Sequence, residues 1–308
     1  MPTADRSSLD SVFSDNSLGY LNWFCEFTAP DSGIGGYFRY GVMPDEGIAS
    51  VIVQLAGPQR PMISLVDLAA PIQGAPTVAR TRRFTFEHGS PCPGESYRIT
   101  VDGSGDAYDD PTGLLHGATP RNVDVSLDLT WSTGGVSYAY PMSPGYEIPC
   151  WTSGSVTVDG ETWGIRHAPG QRNHTIGKRD WWAMEWVWTE LRLADKSHII
   201  ATDVRIPEIG QVSMGCIQDF SGQLVDLSSV LAEVAPTESD VPGSTRICLE
   251  PGSLVVPISE ADIGGRVGLP LRSDDGREAH FVRAWITPTL LDGRTASGWI
   301  EWHRHVDR

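Results

Sequence analysis

From Leu21 onward the chain alternates short apolar runs with turn-forming residues. LNWFCEFTAP is apolar and aromatic, stops at Pro30 and precedes the Gly-rich DSGIGG. YFRYGVMP and ASVIVQLAG follow, separated by DEG. Runs of roughly 5–8 residues rich in Val, Ile, Tyr and Phe, broken by Gly, Pro and Asp, predict antiparallel strands of a sandwich or barrel. RTRRFTFEH, SYRITVDGSG and VDVSLDLTWS continue the pattern. In the last, Val123, Val125, Leu127 and Leu129 share one face and Asp124, Ser126 and Asp128 the other, which is the period of a half-buried strand. YAYPMSPGYEIPC, with its prolines at 141, 144 and 149, predicts a loop or linker. SGSVTVDGETWGI predicts a hairpin about Asp159-Gly160. It echoes SYRITVDGSG, which fits two similar halves.

Further on, the pattern predicts a strand from about Trp181 to Leu193, the turn ADKS, and a partner from His198 to Ile206. VSMGCIQDF comes next, and QLVDLSSVLAEV holds the one segment with a helical reading. TRICLEP, SLVVPIS, EAHFVRAWITPTL and ASGWIEWHRH read as strands. Strand–helix alternation is missing, which excludes a nucleotide-binding α/β fold. The expectation is an all-β chain with a polar arm over 1–18 and two barrel-like domains, 1–149 and 150–308.

Composition narrows the function classes. A length of 308 residues accommodates two domains, and Gly 33 with Pro 22 suits a turn-rich protein. No apolar run approaches the ~20 residues of a membrane span. The N-terminus has neither a basic start nor an apolar centre, unlike a secretory signal. Cys25, Cys92, Cys150, Cys216 and Cys248 are scattered and odd in number, with no CxxC. They read as reduced, buried thiols of a cytoplasmic protein rather than a zinc site or disulfide framework. The formal charge of −16 argues against nucleic acid and anionic membranes as partners. The oligomeric state stays open, a homodimer included.

Candidate chemistry concentrates between Gly170 and Ile206. GQRNHTIGKRDWW holds Arg172, His174, Lys178, Arg179 and Asp180 and ends in Trp181 and Trp182. Trp186 and Trp188 follow, so four of the chain's 11 Trp fall close together. Polar groups beside an aromatic wall suit a site for a large apolar ligand. The alternative is two ordinary strands with their Trp in the core. Strand alternation puts Trp182, Trp186 and Trp188 on one face and Trp181 on the other. Asp203 lies in the apolar run HIIATDVRI. It either faces solvent or is buried, and burial would raise its pKa and make it a proton donor. Asp180 reads as an ion-pair partner of Arg172 or Arg179. Tyr146 and Glu147 sit in a segment that either closes over a cavity or simply packs.

Other motifs carry less. Asn173-His174-Thr175 matches a glycosylation acceptor, set aside for want of a secretory signal. His303-Arg304-His305 reads as an exposed tail. His167 and His174 have no carboxylate at ligand spacing, so no metal is expected. Neither GxSxG nor a GxxxxGK[ST] phosphate loop occurs.

Four segments resemble the lipocalin-like family that contains carotenoid 1,2-hydratase (hydroxyneurosporene synthase) and uncharacterised bacterial relatives. GQRNHTIGKRDWW is similar to the family's G-x-R-D-H-S-W-G-x-R-D-W segment. GYEIPCWTSGSVTVDG resembles its Tyr-Glu junction, YGVMPDEGIASVIVQL its early hairpin, and LLDGRTASGWIEWHR its closing strand. The resemblance spans residues 37 to 304. It implies two lipocalin-like β-barrel halves around a deep apolar cavity, without an organic cofactor. It also implies protonation of an isolated alkene and capture of the cation by water. The family's His and Asp fall on His174 and Asp203. Its Trp and Tyr positions hold Ile176 and Ala201 here, which widens the implied reaction to isomerisation or cyclisation.

The sequence therefore points to a cofactor-independent enzyme on an apolar, isoprenoid-like substrate. Asp203 would protonate an alkene or carbonyl, and His174 would hold the acid or a water. Trp181, Trp182, Trp186 or Trp188 would flank a cation, at about 0.5–2 kcal/mol per ring. Tyr146 and Glu147 would contact substrate. Counting outward from the turn, Asp203 lies opposite Thr189 or Trp188, far from His174. The two meet only if 170–180 folds back as a loop pinned by Arg172 and Asp180. The alternative is a carrier that binds an apolar ligand unchanged.

Overall fold

The alternating runs form strands throughout. In the computed structural model the described residues are 20–72, 77–141, 144–177, 181–236 and 241–306. Among them regular structure is strand plus short 3₁₀ turns, such as Pro30–Ser32 where β1 stops. The protein is all-β, as the sequence predicts.

The first compact unit comprises residues up to 55, 63–107 and 120–178. Its strands are β1 (Leu21–Ala29), β2 (Ile34–Met43), β3 (Ile48–Ala56), β4 (Met62–Pro71), β5 (Val78–Arg80), β6 (Phe84–Cys92), β7 (Ser96–Tyr108), β8 (Arg121–Thr133), β9 (Tyr138–Ala139), β10 (Gly145–Val158) and β11 (Glu161–Ile176). They join in the order β4-β3-β2-β1-β11-β10-β8-β7, and a β4–β7 pairing closes the ring. β6 and β5 extend from β7, and β9 pairs with β10. Val123, Val125, Leu127 and Leu129 all point into the ring's core. Burying each contributes about 1.5–3 kcal/mol over leaving it exposed. The Asp159-Gly160 turn joins β10 to β11 with positive φ at both residues, 48° and 83°. That geometry matches the right-handed twist of a hairpin and favours Asp-Gly.

The second unit comprises 56–62, 108–119 and the chain from 179. Its strands are β12 (Glu185–Leu193), β13 (His198–Ile206), β14 (Gly210–Gln218), β15 (Leu224–Asp226), β16 (Ser229–Val234), β17 (Thr245–Glu250), β18 (Leu254–Ile258), β19 (Ile263–Arg272), β20 (Glu278–Ile286) and β21 (Ala296–His305). A seven-stranded sheet runs β15-β14-β13-β12-β21-β20-β19, and a three-stranded one runs β16-β17-β18. The second core joins Leu191, Ile199, Ala284 and Trp302 of the larger sheet to Val230, Leu249 and Val256 of the smaller.

Side chains hold the smaller sheet's edge. Val230 and Ala232 of β16 direct backbone groups to residues of β13 and β14. Asp203 Oδ2 accepts from the Ala232 N–H at 2.9 Å, and Arg205 donates to the Ala232 carbonyl. Ser213 Oγ accepts from Val230 N at 2.9 Å, and Gln211 Nε2 donates to its carbonyl at 2.7 Å. An edge strand offers a row of unpaired backbone groups. Here polar side chains meet them where a neighbouring strand does not.

Four sequence expectations are corrected. A division at 149/150 falls inside β10, which pairs with both β8 and β11; the compact units divide after 178. GYEIPC is strand rather than linker, because β11 and β9 supply its pairing. QLVDLSSVLAEV forms β15 and β16 rather than a helix. The first VDG lies inside β7, so the two VDG segments are not equivalent hairpins. Among the cysteines, Cys25, Cys150 and Cys216 are buried and Cys92 is exposed.

Asp203→Ala leaves the Ala232 N–H without its acceptor. It is expected to lower stability by about 1–3 kcal/mol. Urea denaturation should show a lower midpoint with an unchanged slope; an unchanged midpoint would mean β16 docks without this carboxylate.

Candidate functional site

β10, β11, β1 and β2 lie side by side, and their registers sort residues into rows. On the face toward the ring's core one row is Tyr146, His174, Trp23 and Tyr40. The next is Ile148, Arg172, Cys25 and Phe38. On the opposite face one row is Glu147, Asn173, Phe24 and Arg39, and the next is Pro149, Gln171, Glu26 and Tyr37. Alternation along each strand produces the sorting. All nine residues of β1 are buried, as are Glu147, Gln171, Asn173 and Arg39. This part of the sheet is thus covered on both faces.

The opposite face carries a buried acid on a polar, aromatic platform. Tyr140 donates a short hydrogen bond to Glu147 Oε1. Asn173 Nδ2 donates to the Tyr140 hydroxyl at 2.8 Å and approaches the same carboxylate oxygen at 3.4 Å. Beside them Arg39 Nε donates to Asn22 Oδ1 at 2.7 Å, and Asn22 Nδ2 to Thr175 Oγ1 at 3.3 Å. The rings of Phe24 and Tyr37 are 5.4 Å apart and form an apolar patch. Gln171 is fully buried, and neither atom of its amide has a partner among the described residues; Asn173 Oδ1 also lacks one. An unmet buried polar atom costs about 1–3 kcal/mol, so in native proteins such atoms face a ligand or an ordered water. The arrangement can hold a proton between Glu147 and Tyr140, bind a polar substrate group at the two amides, and pack an apolar body on Phe24 and Tyr37.

His174 faces the ring's core instead. Its ring stacks on Trp23 at 4.5 Å, and Nδ1–H donates to the Asn22 carbonyl at 3.1 Å. Arg172 donates from Nη1 to the Tyr146 hydroxyl at 2.8 Å. Residues 170–176 do not fold back as a loop; they continue β11, paired on one side by β1 and on the other by β10. Asp180, and with it the proposed pin to Arg172, lies outside the described residues.

Asp203 belongs to the second unit, on the core face of β13 with Ile199 and Ala201. It pairs in register with Val187, not with Thr189 or Trp188, because the hairpin is centred on Asp195, with Arg192 opposite His198. Its side chain is fully buried, and Oδ2 bonds Ala232 N and lies 3.2 Å from Arg205 Nη2. That geometry anchors β16 through Oδ2, while Oδ1 has no partner among the described residues.

The tryptophans also rearrange. Trp181 and Trp182 precede β12, so strand alternation does not apply to them. Trp181 packs on Trp186 at 5.4 Å and on His303 at 5.5 Å. Trp182 stacks on His305 and lies under Arg277. Trp186 and Trp188 share the face away from the second core. Trp186 stacks on His303 at 4.0 Å and donates from Nε1 to Glu301 at 2.5 Å. Arg283 lies between Trp188 and Trp299, 4.9 and 5.5 Å from their ring centres, and pairs with Glu301 at 3.2 Å. His303 is therefore a fully buried strand residue rather than part of an exposed tail. The face is an aromatic wall stiffened by a buried ion pair.

Pattern reasoning passed over Tyr140, Gln171, Glu26, Arg39, Arg283 and Glu301, and gave Asn173 and His303 no part in a site. One signal was available. Glu26 in LNWFCEFTA and Glu301 in ASGWIEWHRH are acids within apolar strands, the feature that singled out Asp203. Among the described residues no group of His, Cys, Asp and Glu could hold a metal ion.

A family profile described as "Domain of unknown function (DUF7064)" matches residues 22–306. No curated protein matches the sequence. Solved structures that share the fold include the following three. An AttH candidate from Nitrosomonas europaea has a TM-score of 0.65 at 13% identity, covering 96% of this chain and 94% of that one. CghA with Sch210972 gives 0.63 at 9% identity, covering 94% and 89%. Kievitone hydratase from Nectria haematococca gives 0.59 at 12% identity, covering 98% and 93%.

Arg283→Met strands Glu301 without its cation and is expected to cost about 3–5 kcal/mol. Adding Glu301→Gln should recover much of that loss, because the buried charge is gone. Urea unfolding of the wild type and the two variants checks this; equal stability of wild type and Arg283→Met would show that the pair does not hold the wall.

Proposed function

We propose that this chain, which belongs to the DUF7064 family, is a hydratase-type lyase that works by acid–base chemistry on an apolar, isoprenoid-like substrate. The observation that carries the reading is Glu147: a carboxyl 1% exposed, held by Tyr140 and Asn173, next to amide atoms of Gln171 and Asn173 that no described residue meets. A buried acid with a fixed proton partner is what protonation of an alkene or enone requires. The Phe24–Tyr37 patch takes the apolar body, and the amides take a carbonyl or hydroxyl. Arg39 is placed to steady negative charge on an enolate. Hydration adds water to the protonated substrate; isomerisation or cyclisation follows when the cation loses a proton instead. The name kievitone hydratase, borne by a structural neighbour, supports this reaction class by analogy.

A carrier is the second reading. It is favoured by the wall of Trp181, Trp186, Trp188 and Trp299, whose Arg283 and Glu301 pair with each other. Such a wall binds apolar molecules without needing an acid.

The test is isotopic. Prenylated and polyene compounds, and kievitone, are incubated with the protein in H₂¹⁸O and in D₂O. An enzyme incorporates ¹⁸O on hydration, or deuterium on isomerisation or cyclisation. Glu147→Gln is expected to lower the rate by about 10²-fold or more, while Asp203→Asn retains activity in the folded fraction. Binding without isotope incorporation by the wild type would establish the carrier. Full activity in Glu147→Gln would remove the acid from the mechanism.

A further inference from the structure

The interior of the closed ring holds chemistry that the Glu147 site does not use. Trp23 and Tyr40 are neighbours in one row with His174 and Tyr146. His88 of β6 meets both, 5.1 Å from Trp23 and 4.3 Å from Tyr40 between ring centres. Its Nδ1 makes a short hydrogen bond with the Tyr97 hydroxyl. Tyr40 stacks nearly parallel on Phe86 at 5.4 Å and 8°. The result is a set of flat ring surfaces, fully enclosed.

The buried acids in this part of the sheet are confined to one face, while its buried cations, Arg172 and Arg39, lie on both. Arg172 projects to the interior in the adjacent row and lies 5.8 Å over the Tyr97 ring and 5.6 Å over the Tyr146 ring. The buried acids of the same strands, Glu26 and Glu147, occupy the opposite face by register. The interior is therefore electropositive and rich in donors.

One donor is unmet. Tyr40 is 1% exposed, and its hydroxyl has no partner among the described residues. Burial pushes its pKa up to about 12, so it remains a protonated donor. A ring of eight strands encloses either packed side chains or one small ligand. An orphaned buried hydroxyl is costly unless something accepts its proton.

We propose that the ring's interior is a second binding site, for a small planar monocarboxylate whose conjugated body lies among Trp23, Tyr40 and Phe86. The carboxylate accepts from the Tyr40 hydroxyl and sits in the positive field of Arg172. Planarity follows from the flat aromatic surfaces, and the negative charge from the segregation of acids to the other face. The site is independent of the Glu147 reaction.

Cinnamate is the probe, titrated into the full-length protein by calorimetry with methyl cinnamate as the uncharged control. Saturable binding of cinnamate is expected, at least tenfold tighter than the ester. Tyr40→Phe should weaken it by tenfold or more, and Glu147→Gln should leave it unchanged. Without ligand, Tyr40→Phe should melt higher, by about 2–4 °C for each kcal/mol released, since it removes an unmet polar group. The proposal is overturned by absent binding, by equal affinity for the ester, by Tyr40→Phe binding as wild type does, or by a Tyr40→Phe melting point below wild type. Weakening by Glu147→Gln instead would place the probe on the other face.

Discussion

The pairing of β1 with β11, inside the ring, joins residues about 150 positions apart, Leu21 with Ile176 through Phe27 with Gly170. It brings the four strands β10, β11, β1 and β2 into one sheet. Each residue of these strands is thereby assigned to the interior or to the opposite face. A slip of one residue would exchange the two sets. Glu147 and Glu26 would enter the aromatic interior, and Trp23, Tyr40 and His174 would leave it. The penalty for burying unpaired acids in that interior makes the observed register strongly preferred.

Burial on both faces imposes the next constraint. A half-buried sheet sends its polar residues to water, but these strands cannot. Their polar side chains must find partners inside the protein. Asn22 meets Arg39 and Thr175, and Glu147 meets Tyr140 and Asn173. Among the described residues the Gln171 amide and Asn173 Oδ1 on one face, and the Tyr40 hydroxyl on the other, have no such partner. Structural polar groups and ligand-facing ones differ in just this respect: the first are satisfied by the fold, and the second wait for something outside it. Asp203 is of the first kind at Oδ2, though not at Oδ1. Its carboxylate completes the edge of β16, and it shares the strand's core face with Ile199 and Ala201.

The second unit solves the same problem with charge pairs. Arg283 lies between Trp188 and Trp299 and meets Glu301, which also fixes the Trp186 indole. Holding large rings in place reduces the entropy lost when a ligand settles on them. Two loops from the early part of the chain, 56–62 and 108–119, belong to this unit, and Leu115 packs on its core. The unit is therefore discontinuous in sequence.

Local periodicity determined the strand content. Alternation in 123–129, the stop at Pro30 and the Asp159-Gly160 turn depend on neighbouring residues and on backbone sterics, so they could be read from the chain. The same alternation showed that Trp186 and Trp188 share a face. It failed at Trp181 and Trp182, which lie before the strand begins. The sequence also marked His174, Tyr146 and Glu147 as site candidates. Tertiary structure alone decided their separation: Tyr146 and His174 turn inward, while Glu147 and Asn173 turn to the other face. It alone decided that Asp203 anchors a strand edge and that the unit boundary falls after 178. These outcomes depend on pairings between distant segments and on what covers each face. A strand's own period says which residues share a face, but not which face is buried, nor against what.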